Sequence, residues 1–465
     1  MLRKNLLFLF VLLQINAFAQ SPALKLEKAF EELSADPQAK HALLSLCVLD
    51  ATTGNTLFAR NENLGIATAS TLKTITAATA FNLLGKDFKF ETTLAYSGAI
   101  VNGVLKGNIL IIGGGDPTLG SPRYPQSKEN YVLSQWVQAL KRAGITRIEG
   151  SVIGDDMAWG SESTPEGWIW QDIGNYYGAA PSVLSWRENQ FDIHLKSAAG
   201  RVNLIKAVPE MPYLKIVNEL KVGAEGSGDQ AYVFLPPLGQ TAYLRGSWAL
   251  GISKAGISAA MPDPAFDLAY RLQDTLKRLG IVSSAEPSTS KRLVAEQKSL
   301  PVVTQKLVTL TSPPLSDIIY WFQKKSINLY GENLVRTFAW KAGKEATTKN
   351  GVATALNYWA GQGLDKSAMN MIDGSGLSPA TRVTTAAMSR ILFLAQSASW
   401  YPEYLRSFPE NNGMLLKSGT ISDVLAYAGY HTAGTGKKYI IVININNYSG
   451  SGIKNKLFKV LDALK

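Results

Sequence analysis

"ATASTLKTITAATAFNLLG", from Ala67 to Gly85, reads as one helix that is apolar on every face. Alanine and leucine dominate it, Ser70 and Thr71 suit an N-terminus, and Gly85 supplies a C-terminal stop. A helix of that kind is buried, and a lysine inside it is costly to desolvate unless it has a partner or a task. Three residues of separation put Ser70 and Lys73 on the same face, within side-chain reach. A serine hydroxyl becomes a nucleophile when a nearby base takes its proton, and a lysine in low dielectric can be that base.

The spacing alone is not specific. Ser-x-x-Lys should arise about twice by chance in a chain of this length and ordinary composition. It occurs here as Ser70/Lys73, Ser288/Lys291 and Ser451/Lys454. The last two lie in the polar or Gly-rich stretches "PSTSKR" and "SGSGIKN", with no buried helix around them.

The chain has 465 residues, 46% of them hydrophobic, an ordinary globular composition with room for two or three domains. Residues 1–19 read as a signal peptide: "MLRKN" is a basic start, "LLFLFVLLQINAF" an apolar core, and Ala17-Phe18-Ala19 a cleavage site. The apolar run is short for a bilayer span, so the mature protein is expected to be exported, with no integral membrane segment after signal removal. The single cysteine, Cys47, sits in "ALLSLCVLD" and reads as a small core residue. Net charge is +11. A basic exported protein suits anionic surfaces, but no basic run interleaved with aromatics points to nucleic acid. His41, His194 and His431 are isolated from one another, which gives no zinc pattern. No Gly-x-Ser-x-Gly elbow is present, which argues against a Ser-His-Asp hydrolase. "IIGGGDPTLG" (Ile111–Gly120) lacks the Gly-Lys-Ser/Thr of a phosphate loop and reads as a tight turn after a strand.

The two chain ends resemble each other in kind. "ALKLEKAFEELSA" is an amphipathic helix, and "ALLSLCVLD" and "TLFAR" are strands joined by the turn "ATTGN". At the far end "MLLKSGTI", "LAYAGYHTA" and "KYIIVININN" are strands, followed by the helix "GIKNKLFKVLDAL". This predicts an α+β domain in which residues 20–89 and 305–465 share one antiparallel sheet flanked by helices. The middle, 90–304, is rich in β-type runs, glycine and tryptophan, and is read as an inserted β-rich region of two subdomains.

Two further motifs complete a chemical set. Ser326-Ile327-Asn328 is the only Ser-x-Asn and stands between two apolar helices; a serine can relay a proton and an amide can bind a peptide bond. Lys417-Ser418-Gly419-Thr420 lies on a strand, and a lysine, two hydroxyls and a glycine suit an anionic, extended substrate, with the glycine allowing close backbone approach.

This trio in this order resembles penicillin-binding proteins and serine β-lactamases, whose fold combines an antiparallel sheet with a helical part. With "GGGDPTL", "GWIWQDIGNYYGAAPSVLSWREN", "DGSGLS" and the long insertion, the chain looks like the D-Ala-D-Ala carboxypeptidase/endopeptidase family, the class C low-molecular-mass penicillin-binding proteins. The resemblance implies an acylated nucleophile at Ser70 with Lys73 as its base. It implies proton delivery by Ser326 with Lys417 beside it, and a substrate-amide clamp at Asn328. The substrate carboxylate would meet Ser418 and Thr420, beside Gly419, and an oxyanion hole would form from the Ser70 and Thr420 N–H groups. It implies peptidoglycan stem peptides as substrate, β-lactams as inhibitors, a periplasmic or cell-wall location, and neither cofactor nor metal. Two positions depart: Ser418 stands for the usual threonine, and Pro379 stands where many members carry an arginine after "SGLS". Arg382 is the expected replacement for that arginine, and Asp155 resembles the acid that meets a substrate amine. A serine β-lactamase shares all three motifs but would need a further base, and no Glu-x-x-Leu-Asn segment is found. A non-catalytic penicillin-binding scaffold or sensor is the other alternative.

Overall fold

The computed structural model describes residues 21–198 and 200–465. The expected signal peptide lies outside these residues. Among them, no helix is long and apolar enough to cross a membrane.

Six strands form one antiparallel sheet, in the order Thr56–Arg60, Leu43–Asp50, Lys438–Asn446, Val424–Thr432, Met414–Ile421, Glu410–Asn411. The chain ends meet at its centre, where Leu43–Asp50 pairs with Lys438–Asn446 from Leu43↔Asn446 to Asp50↔Tyr439. Alternate side chains along a strand point to opposite faces. Leu44, Leu46 and Val48, with Ile441, Ile443 and Ile445, therefore pack against the terminal helices Pro22–Ser34 and Ile453–Asp462. Cys47 and Leu49, with Ile440 and Val442, enter a second core shared with the Leu72–Leu84 helix. Both faces are covered, so apolar residues occupy both faces of these strands rather than alternating with polar ones, Ser45 and Asn444 apart.

The Leu72–Leu84 helix is buried from Leu72 to Phe81 and packs among the helices Leu315–Lys324, Asn328–Lys341 and Thr385–Ala395. Its threonines satisfy themselves inside the core: Thr74 donates to Thr71 O, Thr76 to Gly374 O and Thr79 to Ile75 O. Gly85, at φ +84°, ends the helix as the sequence predicts. The start differs. A 3₁₀ turn, Ala69–Thr71, leads into the helix and neither Thr68 nor Thr71 makes a side-chain cap, so Ser70 is not spent as a capping residue.

Between Glu91 and Thr311 the described residues build four further sheets. The strand Gln305–Thr311 pairs with Glu91–Tyr96, so the inserted sheet runs past the 304/305 junction expected from composition. The region is β-rich as expected, but it also carries two long helices, Glu129–Arg142 and Pro264–Arg278, whose apolar faces (Val132, Trp136 and Leu140; Leu268, Leu272 and Leu276) enter the same core. Asp263 caps the second of these, with proline at its first position.

Candidate active site

Lys73 is fully buried, and its Nζ meets three acceptors: Ser70 Oγ at 2.8 Å, Asn328 Oδ1 at 2.6 Å and Ser375 O at 2.8 Å. An ammonium has three protons to place, so this desolvated cation is matched bond for bond. Burial, reinforced by the charge of Lys417 and opposed by Asp373 and Glu332, holds Lys73 well below the ordinary lysine range. The amine form is thereby made accessible beside a serine hydroxyl.

Asn328 opens the Asn328–Lys341 helix. Its Oδ1 faces Lys73, and its Nδ2 donates to the backbone carbonyl of Tyr177, in the inserted region, at 2.7 Å. Ser326, just before it, holds φ +56°, a left-handed conformation unusual for a residue with a Cβ. Its hydroxyl lies 3.0 Å from Lys417 Nζ.

Lys417 comes from the Met414–Ile421 strand and also donates to Ser418 O at 2.6 Å. Burial pushes it down to about 7. Gly419 is needed here for a reason the sequence reading did not supply. A Cβ on it would stand 2.6 Å from Thr68 O and 2.8 Å from the backbone nitrogens of Ser70 and Thr71. The strand is pressed against the turn that carries Ser70, and the glycine serves that contact rather than substrate approach alone. The close approach brings Ser418–Thr420 beside the Ser70 N–H.

The "DGSGLS" loop holds the far side of Lys73. Asp373 accepts from the N–H groups of Gly376 (3.1 Å) and Ser378 (2.8 Å), from Thr381 Oγ1 (2.8 Å) and from the Trp168 indole (3.0 Å). These bonds fold the loop so that Ser375 O reaches Lys73. Glu332, fully buried, accepts from Gly374 N, and burial together with Asp373 pushes its carboxyl upward.

A cavity of about 510 Å³ opens on this cluster. Ser70, Ser326, Asn328 and Thr420 line it, while Lys73 and Lys417 lie buried behind them. Ser418 is half-buried and is not part of the lining. Two expected site residues lie away from this cavity. Arg382 is exposed, held in a short strand against Ala67 and Asn370, and is not at the cavity; Pro379 is. Asp155 ends a strand of the inserted sheet opposite Ile112 and is also absent from the wall, whose acids are Asp172 and Glu188. The cavity also gains Arg123, Tyr176, Tyr177, Glu188 and Tyr232, all from the inserted region and none singled out from the sequence. The stretch from Gly167 to Asn189, which carries the family resemblance, holds Tyr176, Tyr177 and Glu188 and was the available signal; nothing local marked Arg123 or Tyr232.

The architecture and the placement of these three motifs define a fold of the penicillin-binding type. The crystal structure of penicillin binding protein 4 (dacB) from Haemophilus influenzae superposes with a TM-score of 0.77, covering 94% of this chain and 97% of that one at 22% identity. The chain belongs to the D-Ala-D-Ala carboxypeptidase 3 (S13) family, whose model matches residues 26–464. It is 25% identical to the D-alanyl-D-alanine carboxypeptidase of Actinomadura sp. (strain R39), over 94% of this chain and 86% of that protein. It is 26% identical to the D-alanyl-D-alanine carboxypeptidase DacB of Haemophilus influenzae, over 85% and 84%. The protein is thus an enzyme, a serine hydrolase of this family, as the resemblance implied.

Proposed function

We propose that this is an exported D-Ala-D-Ala carboxypeptidase or endopeptidase of the cell wall, acting through an acyl-enzyme on Ser70. The observation that carries the reading is the buried Lys73, matched to Ser70 Oγ, Asn328 Oδ1 and Ser375 O. As an amine, Lys73 keeps two N–H bonds, to Asn328 and Ser375, and turns its lone pair to Ser70, whose O–H then donates to it. Ser70 Oγ bonds to the carbonyl carbon of the penultimate D-alanine as its proton passes to Lys73. Collapse breaks the C–N bond, and the departing amine takes a proton through Ser326, with Lys417 as its neighbour. Water then cleaves the ester and regenerates Ser70. The N–H groups of Ser70 and Thr420 would hold the oxyanion, and Asn328 and Thr420 the substrate amide and carboxylate. In this reading residues 20–89 and 305–465 supply the chemistry, and the inserted region one wall of the cavity.

β-Lactams would acylate the same serine, a reading supported by the solved complex of the Haemophilus protein with a β-lactam. A peptide loses D-alanine, which diffuses away and leaves room for water; a β-lactam's leaving group stays tethered. The test compares the two substrates in one preparation. D-alanine should be released from a D-Ala-D-Ala peptide over many turnovers while penicillin leaves a long-lived adduct. Rapid, sustained penicillin hydrolysis without D-alanine release would overturn the reading in favour of a β-lactamase.

A further inference from the structure

The inserted region touches the helix of Asn328 through two bonds from its cavity wall, one from a backbone carbonyl and one from a side chain. Tyr177 O takes the amide of Asn328 at 2.7 Å. Two residues further along the same helix, Tyr330 is fully buried and donates its hydroxyl to Glu188 Oε1 at 2.8 Å. Glu188 is itself buried, and gathers Ser121 Oγ at 2.7 Å, Arg123 Nε at 2.8 Å and Nη2 at 3.3 Å, and Gln190 Nε2 at 3.1 Å. It reaches this place from a backbone with three consecutive left-handed residues, Arg187, Glu188 and Asn189, at φ +56°, +56° and +50°. Such conformations persist for residues with a Cβ only where their surroundings hold them. Asn189 does so locally, its side chain bonding Trp186 N and Ala180 O.

Across the interface the helix begins from another left-handed residue, Ser326. A turn of that kind has no intrinsic preference for its geometry and must be held from both sides. One side is Lys417, on Ser326. The other is the inserted region, on Asn328 and Tyr330.

We propose that Glu188 is a positioning residue: by anchoring Tyr330 it fixes the start of the Asn328–Lys341 helix, and through it the Asn328 amide that orients Lys73 against Ser70. The inserted region is in this account part of the catalytic scaffold, and the inference rests on the acyl-enzyme reading above. Tyr330 lines no part of the cavity, so its loss removes no substrate contact.

The test is Tyr330→Phe, which deletes one hydroxyl and leaves Glu188 its bonds to Ser121, Arg123 and Gln190. Labelled penicillin gives two numbers: the fraction of molecules that titrate, and the acylation rate constant per titrated site. A purely structural role lowers the first; positioning lowers the second. The expected result is a five- to tenfold slower acylation per site with the titre unchanged, and no further loss in the double variant Glu188→Gln/Tyr330→Phe. An unchanged rate constant per site, or a loss confined to the titre, overturns the proposal. Should Tyr330→Phe yield no titratable protein, Glu188→Gln is read with penicillins that differ in side chain, because Glu188 also lines the cavity: an equal slowing for all of them supports positioning, and a slowing that follows the penicillin side chain overturns it. Wild type and Ser70→Ala are run beside them: label that survives Ser70→Ala contradicts the acyl-enzyme reading itself, a different failure from an unaltered Tyr330→Phe.

Discussion

Replacing Asn328 by alanine separates a side chain that only touches substrate from one that also tunes Lys73. The substitution removes the 2.6 Å acceptor from Lys73 Nζ and leaves Ser70 Oγ and Ser375 O. A hydrogen bond from a charged donor contributes about 1.5–3 kcal/mol, against about 0.5–1.5 for a neutral one. The ammonium form of Lys73 therefore loses roughly 1–1.5 kcal/mol more than the amine form. At about 1.4 kcal/mol per pH unit, the acid limb of acylation moves to lower pH by roughly one unit. The plateau falls at the same time, by about a hundredfold, because the lysine is no longer aimed at Ser70 and the substrate amide loses its partner. The variant is thus slower at its optimum yet reaches that optimum at a lower pH. The assay is the acylation rate constant with a chromogenic or fluorescent penicillin from pH 4 to 9. Because Lys73 and Lys417 interact, the limb belongs to the pair, and the two profiles are compared as wholes. An acid limb that stays in place, or moves upward, would refute the reasoning.

Other expectations follow from the same geometry. Ser70→Ala should abolish penicillin labelling with thermal stability nearly unchanged, and mass mapping of the wild-type adduct should place the label on Ser70 and not on Ser288 or Ser451. Gly419→Ala should cost at least a hundredfold in acylation, since the new methyl meets backbone atoms of Thr68, Ser70 and Thr71 that have no rotamer to yield; acylation at the wild-type rate would show that the strand does not press on the turn. Lys417→Met should abolish D-alanine release and yet stabilise the fold at low pH. Burial displaces Lys417 from 10.5 to about 7, which corresponds to an unfavourable term of up to roughly 5 kcal/mol for its charged form. That term is fully present below about pH 7 and fades as pH rises towards 10.5, where the unfolded chain also loses the proton. The melting-temperature advantage of Lys417→Met over wild type should therefore shrink steadily from pH 7 to 10, and a gap constant across that range would contradict the assignment.

The sheet was legible because its signal is local and doubled. Leu43–Asp50 and Lys438–Asn446 are each mostly apolar, interrupted by Ser45 and by Asn444, and both lie next to an amphipathic terminal helix. The Ser70/Lys73 pair was legible for a similar reason: a buried helix tolerates a lysine only when other groups satisfy it, so the charge itself announced partners elsewhere in the chain. The partners' identities were half visible. Asn328 and Lys417 stood in short motifs, whereas Ser375 acts through a backbone carbonyl, which any residue carries. The two inserted helices had a readable signal. The spacing of Val132, Trp136 and Leu140, and the Asp263-Pro264 start, are helix signatures set among β-type runs whose strand signal outweighs them.

Arg382 and Asp155 lie off the cavity for a reason that bears on its whole wall. Arg382 is expected from its nearness along the chain to Pro379 and Asp155 from a likeness of its local sequence, and neither is a guide to the wall once an edge strand or a turn intervenes. Pro379 and Arg382 are three positions apart, but pairing with Ala67 commits Arg382 to a strand while Pro379 remains at the cavity. The groups that do form the wall arrive from a region of more than two hundred residues folded on its own core, and two of their decisive contacts, Tyr177 O on Asn328 and the left-handed run at Glu188, are backbone features. The side chains that make such features possible, Asn189 bracing Trp186 and Ala180, and Asn333 reaching Gly115 O and Ser182 O, look in sequence like ordinary loop and helix asparagines. The chemistry of this enzyme is thus written in motifs, where side-chain type is the constraint. Its alignment is written in topology, where the constraint is which backbone is brought against which, and only the folded chain displays that.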